Sequence, residues 1–357
     1  MNCCINCFKD LEIREIIKEQ NQIGDCDFCN QKKTYITNIE ENDDIKSNFE
    51  SLIDIYSSEK EKPDLFPIDR MDLLKNILAY RWNIFNLKPD TIYKFLTVLL
   101  PEKYTAQPEL FDSPVGIFES MNEDYLQQYS ILGKYQWEDF VTEIKEKNRF
   151  HTNIINKEIL LKVLQLSSKI YKKGAIFYRA RICQSRGGYH KNDMGAPPST
   201  SASGGRANPE GISCLYLADS TDTTLRETRA GVYDYVTVGK FILQKDVEVV
   251  KLSDINKLSP FVGLDINLIA ANIIHLNKIS KNIAKPLRRY DSSLDYLPTQ
   301  YICDYIKSKD FAGIEYKSTM FEGGTNYAMF DASMFKCIGT KVYDIKSIKY
   351  DCIPVEE

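Results

Sequence analysis

The chain has 357 residues, of which 43% are hydrophobic and 27% charged, a globular composition with apolar content for more than one core, which excludes a disordered chain. Lys and Arg number 46 against 50 Asp and Glu, a net charge of −4, and this balance argues against a dedicated nucleic-acid binder, which carries a strong basic excess. No apolar run approaches the ~18–20 residues of a membrane helix, and MNCCINCFKDLEIREII lacks the basic start and long apolar stretch of a secretory signal, so the expectation is a soluble, cytoplasmic protein with no membrane partner.

Cysteine usage is lopsided: Cys3, Cys4, Cys7, Cys26 and Cys29, five of the ten, fall in the first 29 residues. Two C-x-x-C pairs, Cys4/Cys7 and Cys26/Cys29, stand 18 residues apart. Two intervening residues let both thiolates of a knuckle reach one tetrahedral ion, and two knuckles complete a four-cysteine Zn2+ site. Gly24 suits the tight turn of the second knuckle. Free thiols or a dithiol redox pair are the competing readings, but two pairs at this spacing are superfluous for exchange chemistry. Cys3 could replace Cys4 in a shifted register. Four protein ligands leave no open position, so the metal is expected to be structural and not catalytic.

Between the knuckles, DLEIREIIKEQ has helical periodicity that places Leu11, Ile13, Ile16 and Ile17 on one face. ENDD at 41–44 is a polar lead into a helix over Ile45–Tyr56. The pattern stays mostly helical to about residue 172, broken by prolines at 63, 67, 89, 101, 108 and 114. RMDLLKNILAYRWNIF and KEILLKVLQLSSKIYKK are its clearest helices, the second stopped by Gly174. Beyond Gly174 the texture changes. AIFYRARIC, CLYLAD, YDYVTVGKFIL and VEVVKL alternate and are rich in β-branched and aromatic residues, as strands are. Helices are expected near 262–281 and 298–309, followed by strands at GIEYKS, NYAMFD and KVYDIKSIKYDCI. The fold class is therefore α+β, with a zinc-binding head over 1–35, a mostly helical domain over 36–172 and a strand-rich domain over 173–357. Lys278, Lys281, Lys285, Arg288 and Arg289 cluster within twelve residues; they read as a solvated helix end or, alternatively, as an anion or partner site.

The strand-rich part carries the chemistry. Alternation in AIFYRARIC puts Phe177, Arg179 and Arg181 on one face, which should border water or an anionic ligand. Arg179, mid-strand, could offer a fixed fork to a phosphate or sit in a salt bridge at the rim. The polar loop GGYHKNDMGAPPSTSASGGRANPEG is long enough to be functional or disordered, and Arg206 at its end lies among glycines where backbone amides can approach a phosphate. In CLYLAD, Leu215 and Leu217 fill the core while Tyr216 faces a cleft. Ser220 is a plausible N-cap, which places Glu227 two turns into the next helix. GGTN at 323–326 is most simply a turn before a strand. His151 and His275 read as structural and His190 as incidental.

FYRAR, then GRANPEGISCLYLADSTDTTLRE, then YLPTQYICDYIKSKDFAGIEYKS with GGTNYAMF, resemble the RES domain, with all three blocks in order over residues 170–345. The resemblance implies a compact fold akin to ADP-ribosyltransferases and an NAD+-consuming activity, in a family whose members are often toxins neutralised by a separate antitoxin. It implies that Arg179, Glu227 and Ser318 are the catalytic residues after which the domain is named. Tyr216 and Arg206, with Arg181, are then further members of the pocket that binds NAD+. Many relatives carry an aromatic residue after the first arginine; here it is Ala180, and that role is not carried over. The cysteine head followed by helices resembles, over a shorter stretch, the N-terminal domain shared by some RES and HEPN-type proteins.

Cleaving the nicotinamide–ribose bond leaves an oxocarbenium-like centre, which a carboxylate such as Glu227 stabilises. Arg179 would bind the pyrophosphate or an incoming inorganic phosphate, Tyr216 would stack on nicotinamide or ribose, and Ser318 would orient a hydroxyl or phosphate. No histidine stands at a spacing that would make Ser318 a nucleophile. Three readings stay open: NAD+ phosphorolysis or hydrolysis, ADP-ribosyl transfer to a macromolecule, and a non-catalytic module that binds a partner. An antitoxin or other regulatory protein, a phage signal or homo-oligomer formation are the candidate controls.

Overall fold

The computed structural model describes residues 1–60, 71–263, 265–288 and 290–349. Pro63, Pro67, Arg70, Arg289 and the end of the last expected strand lie outside these. The chain divides into two compact units, Met1–Lys134 with Lys257–Ile274, and Tyr135–Asn256 with His275–Glu357. The architecture is mixed α and β, as expected. No described helix is long and apolar enough to cross a membrane.

The first unit begins with a small antiparallel sheet of β1 (Asn2–Cys4), β2 (Gln22–Gly24) and β3 (Thr34–Asn38), with β3 in the middle. Helix α1 (Leu11–Glu19) starts where the Asp10 carboxylate accepts from the Ile13 amide, and it buries Ile13 and Ile17. Leu11, expected on the same face, is 68% exposed, because at about 100° per residue it lies roughly 200° round the helix from Ile13. Helix α2 (Asp43–Ile53) is capped by Asn42, whose side chain accepts from Ile45. RMDLLKNILAYRWNIF is not one helix. It forms the short β5 (Asp72–Leu73), a turn of α3 (Leu74–Asn76) and a widened π turn over Ile77–Arg81. Strand β5 and β4 (Ser57–Ser58) both pair with β6 (Pro114–Gly116). Helices α4 (Pro89–Leu99), α5 (Pro101–Ala106), α6 (Glu109–Asp112) and α7 (Glu123–Tyr129) complete the succession; Pro89 and Pro101 sit in first turns, where proline costs no hydrogen bond. The core is aromatic: Phe8, Phe49 and Phe85 surround Phe95 at centroid distances of 5.3–5.6 Å. Residues 257–274 close it, with Phe261 5.1 Å from Phe49 and with Ile269, Ala270 and Ile273 buried.

In the second unit, α8 (Trp137–Thr142) and α9 (Lys157–Leu166) precede an eight-stranded sheet. Helix α9 ends at Leu166, earlier than expected, and Ser168–Tyr171 is strand β7. The serines compete with the helix for backbone hydrogen bonds, the Ser167 hydroxyl donates to the Lys251 carbonyl, and Ile170 and Tyr171 suit a strand. Gly174, at φ +92°, then makes the turn into β8 (Ile176–Cys183) instead of ending a helix. Strand β9 (Leu215–Ala218), helix α10 (Thr221–Glu227), strands β10 (Tyr235–Leu243) and β11 (Val247–Lys251), and helices α11 (Ile266–Ala284) and α12 (Leu297–Lys307) follow. Residues 275–284 of α11 count with this unit. Strands β12 (Gly313–Lys317), β13 (Thr325–Met329) and β14 (Phe335–Asp344) finish the sheet, ordered β14-β10-β8-β9-β13-β12-β11-β7. All neighbours are antiparallel except β11 and β12. One face carries the core of Phe177, Leu215, Leu217, Phe241 and Tyr327.

Candidate functional site

The sulfur atoms of Cys4, Cys7, Cys26 and Cys29 lie within 4.8 Å of one another, an arrangement that can hold a metal ion. Cys4–Cys7, Cys4–Cys29 and Cys7–Cys26 are 3.7, 3.4 and 3.5 Å apart, and all four cysteines are free. Four metal–sulfur bonds of about 2.3 Å in a tetrahedron would set the sulfurs about 3.8 Å apart, so the donor set fits a zinc-sized ion with small adjustments. Hydrogen bonds from Cys3, Cys4 and Cys7 hold the Cys26 thiol well below its ordinary pKa. Cys4, not Cys3, completes the set of four.

Strands β8 and β9 pair at a single position, Tyr178 with Ala218, although they are neighbours in the sheet. They diverge on either side of it, and Arg179 spans the opening: its Nη1 donates to the Tyr216 carbonyl at 3.1 Å. Its Nε is buried without a partner, while Nη2 has no partner among the described residues and is not buried. Burial, and then the charge of Arg181, lower its pKa to about 10, so it is still a cation at neutral pH. The expected water-facing side of β8 is therefore mixed, since Phe177 packs in the core 4.9 Å from the Tyr327 ring. Arg181 is turned to the loop that follows β8, donating to the Asp193 carbonyl at 2.6 Å and lying 4.4 Å over the Tyr189 ring.

That loop is ordered by Asn208. Its amide donates to the carbonyls of Ser203, Pro209 and Ile212, and its Oδ1 accepts from the Tyr216 hydroxyl at 2.6 Å. The same hydroxyl accepts from the Ala207 amide, and burial pushes its pKa well up, so it stays neutral. A Cβ at Gly205 would stand 2.5 Å from this oxygen, so the approach requires glycine. Arg206 does not lie loose among backbone amides. Its Nη1 donates to the carbonyls of Ile283 and Ala284 at the end of α11, and its guanidinium lies 5.1 Å over the Tyr316 ring.

Ser220 caps α10 by accepting from the Thr223 amide, and seven residues later the helix delivers Glu227 as its last residue. Glu227 Oε1 accepts from the Ser318 hydroxyl at 2.6 Å and from Asn326 Nδ2 at 2.7 Å. The Ser318 oxygen in turn accepts from the amides of Met320 and Phe321, which fixes its one proton on Glu227. Asn326, passed over in the sequence as the end of a turn, is 4% exposed on β13. Its signal was a polar residue at the start of an otherwise apolar strand. Gly324 lets the preceding turn close on α10, since a Cβ there would meet Thr223 Oγ1 at 2.7 Å. The chain thus brings together Glu227, Ser318 and Asn326, and separately Arg179 and Tyr216; no hydrogen bond joins the two groups among the described residues. His275 is buried and its pKa is lowered by burial to about 4, as suits a neutral structural side chain.

A comparison with curated proteins finds no match. Among solved structures the chain is similar to a chain of the M. tuberculosis MbcT-MbcA toxin-antitoxin complex, at 15% identity and a TM-score of 0.33, over 52% of this chain and 93% of that one. Residues 176–347, which hold Arg179, Glu227, Ser318 and Asn326, match the family model of the RES domain, and this C-terminal part of the chain is a RES domain.

Proposed function

We propose that this RES domain consumes NAD+ by breaking the bond between nicotinamide and ribose, with water or inorganic phosphate as acceptor. The family membership supports it, since the RES resemblance implies NAD+ consumption, a toxin's role and an antitoxin as partner. The single observation that carries the reading is the 2.6 Å hydrogen bond from Ser318 to Glu227, which joins residues 91 apart in sequence. Nicotinamide leaves as a neutral group, so positive charge grows on the ribose, and a fixed carboxylate lowers the energy of that state. Arg179 keeps an open Nη2 edge for a pyrophosphate or phosphate oxygen, to which a guanidinium binds in fixed directions. Ser318, its proton held by Glu227 and its lone pairs by two amides, orients the carboxylate and is no nucleophile. The four cysteines are assigned Zn2+, whose chemistry in such a site is to tie the knuckles together.

The test is incubation of purified protein with NAD+, with and without phosphate, following nicotinamide and identifying ADP-ribose or ADP-ribose 1″-phosphate. Release is expected from the unaltered chain, and Glu227→Gln should lower it by about 100-fold or more. Absence of nicotinamide under both conditions overturns the reading. Near-full turnover by Glu227→Gln overturns the role of that residue.

A further inference from the structure

We infer that Asn326 is a positioning residue that holds Glu227 Oε1 with an uncharged donor, so that the carboxylate keeps its negative charge and Oε2 is the oxygen presented to the ligand. The inference rests on the proposed NAD+ reading for the identity of the ligand, and on the geometry alone for the role of Asn326.

A carboxylate can be fixed in two ways. An arginine or lysine fixes it and neutralises it, whereas uncharged donors fix it and leave the charge in place. Glu227 is fixed in the second way. Both of its donors, Ser318 Oγ and Asn326 Nδ2, are neutral, and both address Oε1. Among the described residues no lysine or arginine nitrogen is paired with it, and Oε2 accepts no hydrogen bond and is not buried. The nearby charged and titratable groups are otherwise engaged. Arg206 is held by the end of α11, Arg226 lies over the Phe321 ring at 4.9 Å, and Asp219 takes the Thr223 hydroxyl and the Thr325 amide. Tyr316 on β12 is buried, and its hydroxyl is pushed up first by that burial; Arg206 opposes this and the Glu227 charge adds to it.

Both donors are held in place, and Asn326 is held by the sheet on two sides. Its backbone is registered to Tyr316 on one side and Ala218 on the other, while Ser318 stands just past the end of β12 with its amide donating to the Gly324 carbonyl at 2.9 Å. The carboxylate also fixes which way the amide faces, because the opposite orientation would set two oxygens against each other. A strand-borne donor of this kind sets the direction of Oε2 to within the tolerance that stabilisation of a growing charge needs.

The experiment compares Asn326→Ala and Asn326→Asp with the unaltered protein, after thermal melting has shown each to be folded. It has two readouts, the pH profile of nicotinamide release and the carbon-13 NMR titration of the Glu227 carboxyl, assigned by its loss in Glu227→Gln. Asn326→Ala is expected to lower kcat by about 10- to 100-fold with KM changed less than about threefold, since the lost interaction acts on the transition state. Asn326→Asp places a second carboxylate against the first, so the acid limb of the profile and the NMR midpoint should both move up by about one pH unit or more. An NMR midpoint unmoved in a folded Asn326→Asp protein overturns the inference, whether or not NAD+ is the substrate. Failure of the unaltered protein to release nicotinamide, with the midpoint moved, defeats the NAD+ reading and leaves the positioning role standing.

Discussion

Arg206 ends on the carbonyls of Ile283 and Ala284, where the C-terminus of α11 concentrates partial negative charge and has no amides of its own to satisfy it. Two further contacts anchor its own backbone region: Thr299 donates to the Arg206 carbonyl and Gln300 to the carbonyls of Gly205 and Asn208. We therefore expect Arg206→Ala to cost about 1–3 kcal/mol of stability, read as a fall of several degrees in melting temperature, with the KM for NAD+ changed little. A tenfold rise in KM at unchanged melting temperature would return Arg206 to the phosphate. Glu227 and Ser318 stand in contrast. The resemblance to the RES domain singled both out, and the fold brings them to 2.6 Å of each other. The partner of Arg206 was not legible in the sequence, because it depends on where a helix 77 residues away happens to end. Asn326 escaped notice for a related reason. GGTN is a turn and NYAMFD a strand, both ending or beginning at Asn326, and neither pattern says that its amide faces Glu227.

At the scale of elements, the two knuckles are the clearest case of a local pattern deciding a local structure. Strands β1 and β2 have three residues each, and a metal held by the four cysteines would add a cross-link between the knuckles. The knuckles also supply Phe8 and Phe28, both packed edge-on against Phe95 at 5.6 Å. Loss of the ion should therefore loosen the aromatic core of the first unit as well as the head. About one zinc per chain is expected by elemental analysis. Cys26→Ser should lose most of it and melt at lower temperature, and a strong chelator should act likewise on the unaltered chain. A value below about half a zinc, in protein prepared without chelator, defeats the assignment. Most strands of the second unit were readable too, since alternation marks a half-buried strand, although β14 begins at Phe335, six residues before the expected KVYDIKSIKYDCI. The α9–β7 junction was not readable: LQLSSKIYKK keeps helical spacing, and the competing bonds of Ser167 and Ser168 lie on β11, far off in sequence.

For the molecule as a whole, the decisive feature is that the first unit is discontinuous. Residues 257–274 sit inside the strand-rich half of the sequence, yet Ile269, Ala270 and Ile273 belong to the buried core built around Phe49, Phe85 and Phe95. A linear reading assigns this segment to its neighbours in the chain, because periodicity tells which face of a helix is apolar and not which core receives it. The consequence is testable by truncation. A fragment over 173–357, which a boundary near residue 172 would suggest, retains 257–274 without the core that covers it and also lacks α8, α9 and β7 of its own unit. Burying the two isoleucines contributes several kcal/mol, at roughly 1.5–3 kcal/mol for each. That fragment should therefore bind a hydrophobic dye, aggregate at concentrations the full chain tolerates, and release nicotinamide poorly even with Glu227, Ser318 and Asn326 all present. Adding residues 1–172 as a separate polypeptide should restore solubility by covering the segment again and by returning α8, α9 and β7 to the second unit. If 173–357 alone melts cooperatively, stays monomeric and turns over NAD+ like the full chain, the returning segment is dispensable to the RES domain and its burial in the first core serves that unit only.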